Sequence, residues 1–420
     1  MQKILTVVVF LMLVCMLQAQ DSSKVRLNFA KTYLELGSTI YPSFSGRIAG
    51  TKDRIVDFNN PVSFSPYLNI GGIHFWGKAD FYISIPLGSF ASRSENATKT
   101  EISESVVTGM RVMPWALQNK QIRPYFGGSW IVSNFRQKIK NIDNPIFGKN
   151  GTRLEGGLMY GNESWLLRMG MNYYPRHNIN YPVDATQLQR INTPAFSANL
   201  GFLYTFETTS KGMKTEVANE LNGIAAFSKP DQIKSHRGDW FFGIGPSTSF
   251  VLSASEYNQK RHPYFNPSSI SKTYVDLALG YHFNHARVVT ALAYRRIPFK
   301  EKGYGITQTI LKSSILLESF YYLLDYHGFT PYLGLNFGYD QVNVQENETK
   351  IVEKNQWTPG LTFGWDILPG KTDQAFVLRT NLRWMPFQKI NIRGEAHALH
   401  QLEYNVIQAV WYPSRKKWYK

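Results

Sequence analysis

Residues about 34 to 206 and about 240 to 412 repeat one plan, so the repeated unit rather than the whole chain is the folding module. The clearest anchor is Arg123-Pro124-Tyr125-Phe126-Gly127 against Thr330-Pro331-Tyr332-Leu333-Gly334, a shift of 207 residues. Tyr67-Leu68-Asn69-Ile70 meets Tyr274-Val275-Asp276-Leu277 at the same shift. Leu166-Leu167-Arg168 and Tyr174-Pro175 answer Val377-Leu378-Arg379 and Met385-Pro386 at a shift of 211, and Pro42-Ser43 answers Pro246-Ser247 at 204. Insertions in connecting segments produce such drifts.

Within each copy the side chains alternate with the period of a β-strand. Val275, Leu277, Leu279, Tyr281 and Phe283 share one face, and Asp276, Ala278, Gly280 and His282 the other. Leu167, Met169, Met171 and Tyr173 alternate with Arg168, Gly170, Asn172 and Tyr174, and Leu378, Thr380, Leu382 and Trp384 with Arg379, Asn381 and Arg383. A charge between large apolar residues requires one face to meet lipid or core and the other to meet water or polar partners. A soluble sandwich would use the same pattern, so the connections decide.

Long polar connections (45–61, 88–100, 137–152, 176–193) alternate with short ones (77–78, 116–121, 161–164). The second copy repeats the rule, long at 255–272, 300–308, 345–356 and 387–401, short at 284–285, 325–328 and 368–374. Tight turns on one side of a sheet and long loops on the other are expected of a transmembrane barrel, with the turns in the periplasm. Strands of roughly 9 to 13 residues are long enough to cross a bilayer at a tilt. The predicted fold is therefore all-β, a transmembrane antiparallel up-and-down barrel with sixteen strands in total.

Residues 1–19 read as a signal peptide: Lys3, an apolar run from Ile4 to Leu17, and a cleavage site after Ala19. The expectation is export to the outer membrane of a Gram-negative bacterium. The single cysteine, Cys15, falls inside that segment, which leaves no thiolate chemistry and no disulfide beyond it. Removing Lys3 leaves 45 basic and 30 acidic residues, a charge of about +15. For an exported chain this excess points to anionic lipid head groups or surface polymers, and not to nucleic acid. Aromatic residues at 15% suit a barrel wall with an apolar outer face.

Each copy resembles a small eight-stranded outer-membrane barrel of the OmpA-like or OmpW-like kind, in which a Pro-Tyr-x-Gly strand often sits mid-barrel. Asn199-Leu200-Gly201-Phe202-Leu203-Tyr204-Thr205-Phe206 resembles the closing-strand signal that barrel assembly machinery reads, with Asn199, Gly201, Tyr204 and Phe206 at its defining positions. The resemblance implies that machinery as a partner during biogenesis, together with outer-membrane lipid and lipopolysaccharide. The second copy's counterpart, Asn405 to Tyr412, departs from the signal, with Ile407 in place of glycine and Val410 in place of the first aromatic residue.

Sixteen strands can close as two tandem eight-stranded barrels or as one wide sixteen-stranded, porin-like barrel. Two barrels are favoured. The junction is long where neighbouring strands are otherwise joined by a few residues. The first copy carries its own closing signal. The expected inner face mixes Asn69, Asp80, Ser105, Gly109, Arg111, Tyr125, Gly127, Glu155, Arg168 and Asn172, a set suited to filling a narrow lumen. The expected divisions are a first repeat at 20–206, a periplasmic linker at 207–239, a second repeat at 240–413 and a basic tail at 414–420. Met213, Val217, Leu221 and Ile224 give the linker a short amphipathic helix before Lys229-Pro230.

No serine, histidine and carboxylate set is convincing along any strand, and no cofactor motif is present. His74 and His282 read as hydrogen-bonding residues near short turns, and His397 with His400 lacks a third metal ligand. The stronger lead is the basic outer loops: Arg47, Lys52, Arg54, Arg136, Lys138, Lys140, Lys149, Lys260 and Arg261 as candidate anion-binding residues, with His262 beside the last two. The functional expectation is a non-enzymatic outer-membrane protein with a structural, adhesion or surface-binding role. The alternatives are a sixteen-stranded channel for passive solute transport and, behind it, a lipid-modifying barrel enzyme.

Overall fold

A computed structural model describes residues 30–49, 55–74, 78–95, 98–115, 120–139, 146–162, 164–175, 178–206, 238–266, 269–324, 329–367 and 375–415. The signal peptide, the linker helix at 213–224, the end of the basic tail, and Lys52, Arg54 and Lys140 lie outside the described residues.

The first repeat runs through β1 (Ala30–Tyr41), an outer hairpin β2 (Phe44–Ala49) and β3 (Ile55–Asn60), β4 (Ser63–His74) and β5 (Ala79–Pro86). A second outer hairpin follows, β6 (Ala91–Glu95) and β7 (Thr98–Glu104), then β8 (Val107–Val112), β9 (Gln121–Ile139), β10 (Ile146–Gly161) and β11 (Trp165–Tyr173). The outer hairpin β12 (Asn178–Pro182) and β13 (Leu188–Asn192) leads into β14 (Phe196–Phe206). Strand β1 pairs with both β4 and β14, and β9 with both β8 and β10, so eight strands close into a ring.

In the second repeat β15 (Asp239–Val251) precedes a short helix, α1 (Glu256–Arg261), followed by β16 (Tyr274–Phe283), β17 (Val288–Gly303), β18 (Ile306–Tyr322), β19 (Phe329–Glu346), β20 (Thr349–Ile367) and β21 (Phe376–Met385). The outer hairpin β22 (Lys389–Ile392) and β23 (Glu395–Ala398) precedes β24 (Gln401–Trp411). Strands β15 to β21 and β24 form a second closed barrel. The single sixteen-stranded barrel is not formed: β14 pairs with β1 and β11, which leaves no edge for β15, and β15 pairs with β16 and β24.

Most long connections are folded β-structure rather than open loops. The segments 300–308 and 345–356 are not long connections at all: β17 and β18 meet through Tyr304 and Gly305, and β19 and β20 through Asn347 and Glu348. All four turn residues have positive φ (48°, 78°, 45° and 67°), the geometry that lets a two-residue turn follow strand twist.

Alternation places the apolar set on the outside of both rings, including Leu36, Met169, Leu200 and Phe202 in the first and Trp240, Val275, Leu335 and Trp357 in the second. A broad exposed apolar surface with aromatic residues among it is stable in lipid and not in water. The inside has three layers in each barrel. Near the short turns lies an apolar layer: Tyr33, Ile73, Met113, Leu166 and Leu203 in the first barrel, and Phe241, Val289, Phe320, Val377 and Val410 in the second. A charged layer follows. Above it the outer hairpins enclose a second apolar core, built on Phe44, Phe58, Ile102, Phe135, Tyr181 and Ile191 in the first barrel and on Tyr257, Ile297, Phe299, Val344, Ile390 and Leu399 in the second.

The two barrels touch along one line that climbs across their tilted strands. At the short-turn end Phe81 of β5 stacks on Phe329 of β19, with ring centroids 5.9 Å apart. Higher up, Tyr404 of β24 donates to Thr108 of β8 at 2.8 Å, and Trp130 of β9 meets Phe250 of β15 edge-on at 6.1 Å. At the top the Asn266 amide donates to the Gly148 carbonyl at 2.8 Å.

Candidate functional site

The charged layer of the first barrel is organised by two arginines. Arg111 on β8 reaches Asp80 (2.7 Å) and Glu155 (3.0 Å), and its guanidinium lies 3.8 Å from the centre of the Tyr82 ring. Arg168 on β11 donates to Glu35 (2.8 Å), the Tyr125 hydroxyl (3.0 Å), Asn199 (2.8 Å) and the Tyr67 hydroxyl (2.7 Å). Tyr33 donates to Asp80 at 2.7 Å, Asn69 donates to Glu35 at 2.8 Å, and Tyr82 closes on Glu155. Above them Arg153 pairs with Glu104 at 3.3 Å. Apart from the half-buried Glu104, the ionised groups named here are buried, and each has an opposite charge or a hydrogen bond, as a low-dielectric interior requires.

The second barrel carries a longer ladder of charges. Arg379 grips Asp366 with two bonds (2.7 and 2.8 Å), Arg383 bridges Asp276 and Glu318, Arg295 pairs with Glu403 (2.7 Å), and Lys312 lies between Asp340 (3.4 Å) and Glu403 (3.3 Å). At the short-turn mouth the chain after β24 folds back. Ser414 donates to Asp239 at 2.7 Å, and Arg415 donates to Asp239 at 3.1 Å and to His282 Nδ1 at 2.7 Å.

Of the inner-face residues expected from the sequence, Asn69, Asp80, Arg111, Tyr125, Glu155, Arg168 and Asn172 are buried in the first lumen. Two cavities found in this barrel measure about 20 Å³ each, one lined by lumen groups including Glu35's partner Arg168, Arg111 and Glu155, the other under the outer hairpins by Tyr41, Phe90 and Tyr174. That is space for about one water.

The candidate basic residues are placed as follows. Arg47 on β2 faces its register partner Asp57 at 3.9 Å, both exposed. Arg136 and Lys138 project from the outer face of β9, where Lys138 lies directly opposite Lys99 and Arg136 opposite Glu101. Lys260 and Arg261 end α1, with Lys260 at 3.6 Å from Glu395. Lys149 is different: its ammonium donates to the Asn178 carbonyl and ties β10 to the β12–β13 hairpin, so its role is internal. The residues do not form one site; they are distributed over the outer parts of both barrels.

The closing-strand residues divide by face. Asn199 and Gly201 point into the lumen, where Asn199 takes the Arg168 bond and donates to Asn172 at 3.0 Å, and a Cβ on Gly201 would overlap the Glu35 carboxylate. Tyr204 faces outward, exposed, and the Phe206 backbone ends β14.

One juxtaposition is invisible in the sequence. Ser255 Oγ lies 2.6 Å from His397 Nδ1, across the top of the second barrel. Ser255 also accepts from the Asn258 N–H at 3.1 Å and so caps α1. Burial holds His397 down at about 4, which favours the neutral ring that such a bond needs. Both residues are buried, and neither lines the cavities described above. The pair fastens the helix to the β22–β23 hairpin.

Closed antiparallel rings, an apolar outer belt and a charge-filled interior define an integral outer-membrane β-barrel protein with two eight-stranded barrels in one chain. No family model and no curated protein matches the chain. Among solved structures, Neisserial surface protein A is similar at 13% identity, covering 42% of this chain and 99% of its own, with a TM-score of 0.32. Ail, the attachment invasion locus protein of Yersinia pestis, is similar at 12% identity over 42% of this chain and 99% of its own, with a TM-score of 0.27. An outer membrane channel from Pseudomonas putida F1 is similar at 8% identity over 94% of this chain and 98% of its own, with a TM-score of 0.21.

Proposed function

We propose that this chain is a non-enzymatic protein of the Gram-negative outer membrane that binds anionic surface polymers through its basic outer hairpins, with both barrels serving as closed supports. The observation that carries the reading is the filling of the lumens: buried ion pairs between two apolar layers offer a solute neither a continuous wet path nor a shaped site. The passive-channel alternative is tied to a sixteen-stranded ring, and the chain closes as two eight-stranded rings instead. Arg136, Lys138, Lys260 and Arg261 are the residues assigned to anion binding, because they are exposed and carry cations beyond the nearby acids. In biogenesis, Asn199 to Phe206 is the segment proposed to meet the barrel assembly machinery.

Two measurements test this. In planar bilayers the pure protein is expected to give no steady conductance; a large steady one overturns the closed-support reading. On an immobilised sulfated polysaccharide, the quadruple change of Arg136, Lys138, Lys260 and Arg261 to Gln is expected to abolish salt-sensitive retention. Unchanged retention removes these residues from the role.

A further inference from the structure

The outer wall of the second barrel changes chemistry within one register step. Tyr294 of β17, Ile315 of β18, Tyr339 of β19 and Trp357 of β20 are cross-strand neighbours, the last row of the outer wall that is apolar on all four strands. Two residues further along each strand the neighbours are Arg296, Ser313, Gln341 and Asn355. Above Arg296 on the same face of β17 come Pro298, opposite Leu311, and then Lys300 and Lys302, opposite Thr309 and Thr307. All three cations are exposed. The outward faces of β16, β17 and β18 carry no carboxylate, and among the described residues none of the three cations has an ion-pair partner. Lys272, exposed and with its N–H bonded to the Pro298 carbonyl at 3.0 Å, adds a fourth positive charge at the edge of this wall.

We infer that Arg296, Lys300 and Lys302, with the hydroxyls of Ser313, Thr309 and Thr307, form a binding site on the barrel's outer wall for a phosphorylated glycolipid of the outer leaflet. Its acyl chains lie on the Tyr294 and Ile315 surface and its sugar phosphates meet the cations. Height selects this ligand over a phospholipid. At about 3.4 Å per residue, Lys300 and Lys302 are about 14 and 20 Å along the strand from Arg296, which a tilt of about 40° turns into a rise of about 10 and 16 Å. A phospholipid head-group layer is only about 5 to 7 Å deep, so the upper lysines stand clear of it and match phosphates borne on an oligosaccharide. Arginine and lysine next to hydroxyls suit phosphate oxygens. The site lies on the outer wall of β17 and β18 and runs up into their hairpin, and it does not rest on the proposed binding of surface polymers by Arg136, Lys138, Lys260 and Arg261.

The test uses the full chain in nanodiscs with three probes: lipopolysaccharide lacking O-antigen, the same material after phosphatase treatment, and phosphatidylglycerol. The intact glycolipid is expected to bind and the other two to compete poorly. The R296Q/K300Q/K302Q variant is expected to bind it on the order of 100-fold more weakly, from three lost charges. Wild-type affinity in that variant, or equal competition by phosphatidylglycerol, overturns the site. Heat-modifiable migration reports folding; if the triple variant does not fold, K302Q at the hairpin tip is to weaken binding where K302R keeps it, and identical binding by the two overturns the proposal. The hairpin-loop variant described above is expected to bind the glycolipid normally, which separates the two readings.

Discussion

Arg111 in the first barrel and Glu318 in the second occupy equivalent places, 207 residues apart, on the fourth wall strand of each ring. The charge is inverted, and the partner moves with it. Asn172, neutral in the first barrel, corresponds at a shift of 211 to Arg383, which binds Glu318 and also Asp276, the counterpart of Asn69. One relation survives in both: Glu155 and Arg168 at 3.7 Å correspond to Asp366 and Arg379 at 2.7 Å. The difference teaches that the fold requires a narrow lumen to be filled and neutralised, and leaves open which strand supplies which sign.

The largest test breaks the wiring of one barrel at a time. Arg111→Met strands Asp80 and Glu155 in the first lumen and should cost that barrel about 3 to 5 kcal/mol, while the second keeps its urea midpoint. Arg383→Met should do the reverse, with protease resistance of each half as the readout. A sharper comparison rewires the first barrel in the manner of the second. Arg111→Glu alone should be at least as harmful as Arg111→Met, and adding Asn172→Arg should recover about 2 to 3 kcal/mol if the two positions exchange roles across the lumen. No recovery would mean that the inversion depends on other second-barrel residues.

A third test concerns only the second barrel's cap. His397 is held at about 4 against an ordinary value near 6.5, so the unfolded cap takes up a proton that the folded cap does not. Its contribution is therefore present above pH 6.5 and is lost as pH falls to about 4, an effect of about 3 kcal/mol. Amide exchange at 395–398 should quicken over that window, and His397→Gln should flatten the slope. The smallest effect is expected at the exposed Arg47 and Asp57 pair, where Arg47→Gln should change stability by less than about 0.5 kcal/mol.

The strand faces were legible because period-two alternation is set by local geometry: Arg168, Arg379 and Asp276 are inside as their positions between Leu, Met and Val residues imply. The hairpin tips were not. Above the membrane Lys300, Lys302, Thr307 and Thr309 replace the outer apolar partners, so the strands continue without the alternation that marks them lower down. The contact between Ser255 and His397 joins distant segments, and no spacing along the chain encodes it. Gly201 shows a signal with two meanings, since a glycine expected of a closing strand also makes room for the Glu35 carboxylate. Lys149 looked like one more loop cation and instead ties two outer segments together.

The upper part of the line of contact between the barrels falls where the second ring joins its own ends. Strands β15 and β24 meet with an irregular register between Ile244 and Ser247, and their residues Phe250 and Tyr404 are the ones that reach Trp130 and Thr108. A gap opening at that join would bare backbone amides and carbonyls, which hydrocarbon cannot satisfy. Here part of the gap would face a neighbouring wall of the same chain, so one barrel shields that border of the other from lipid.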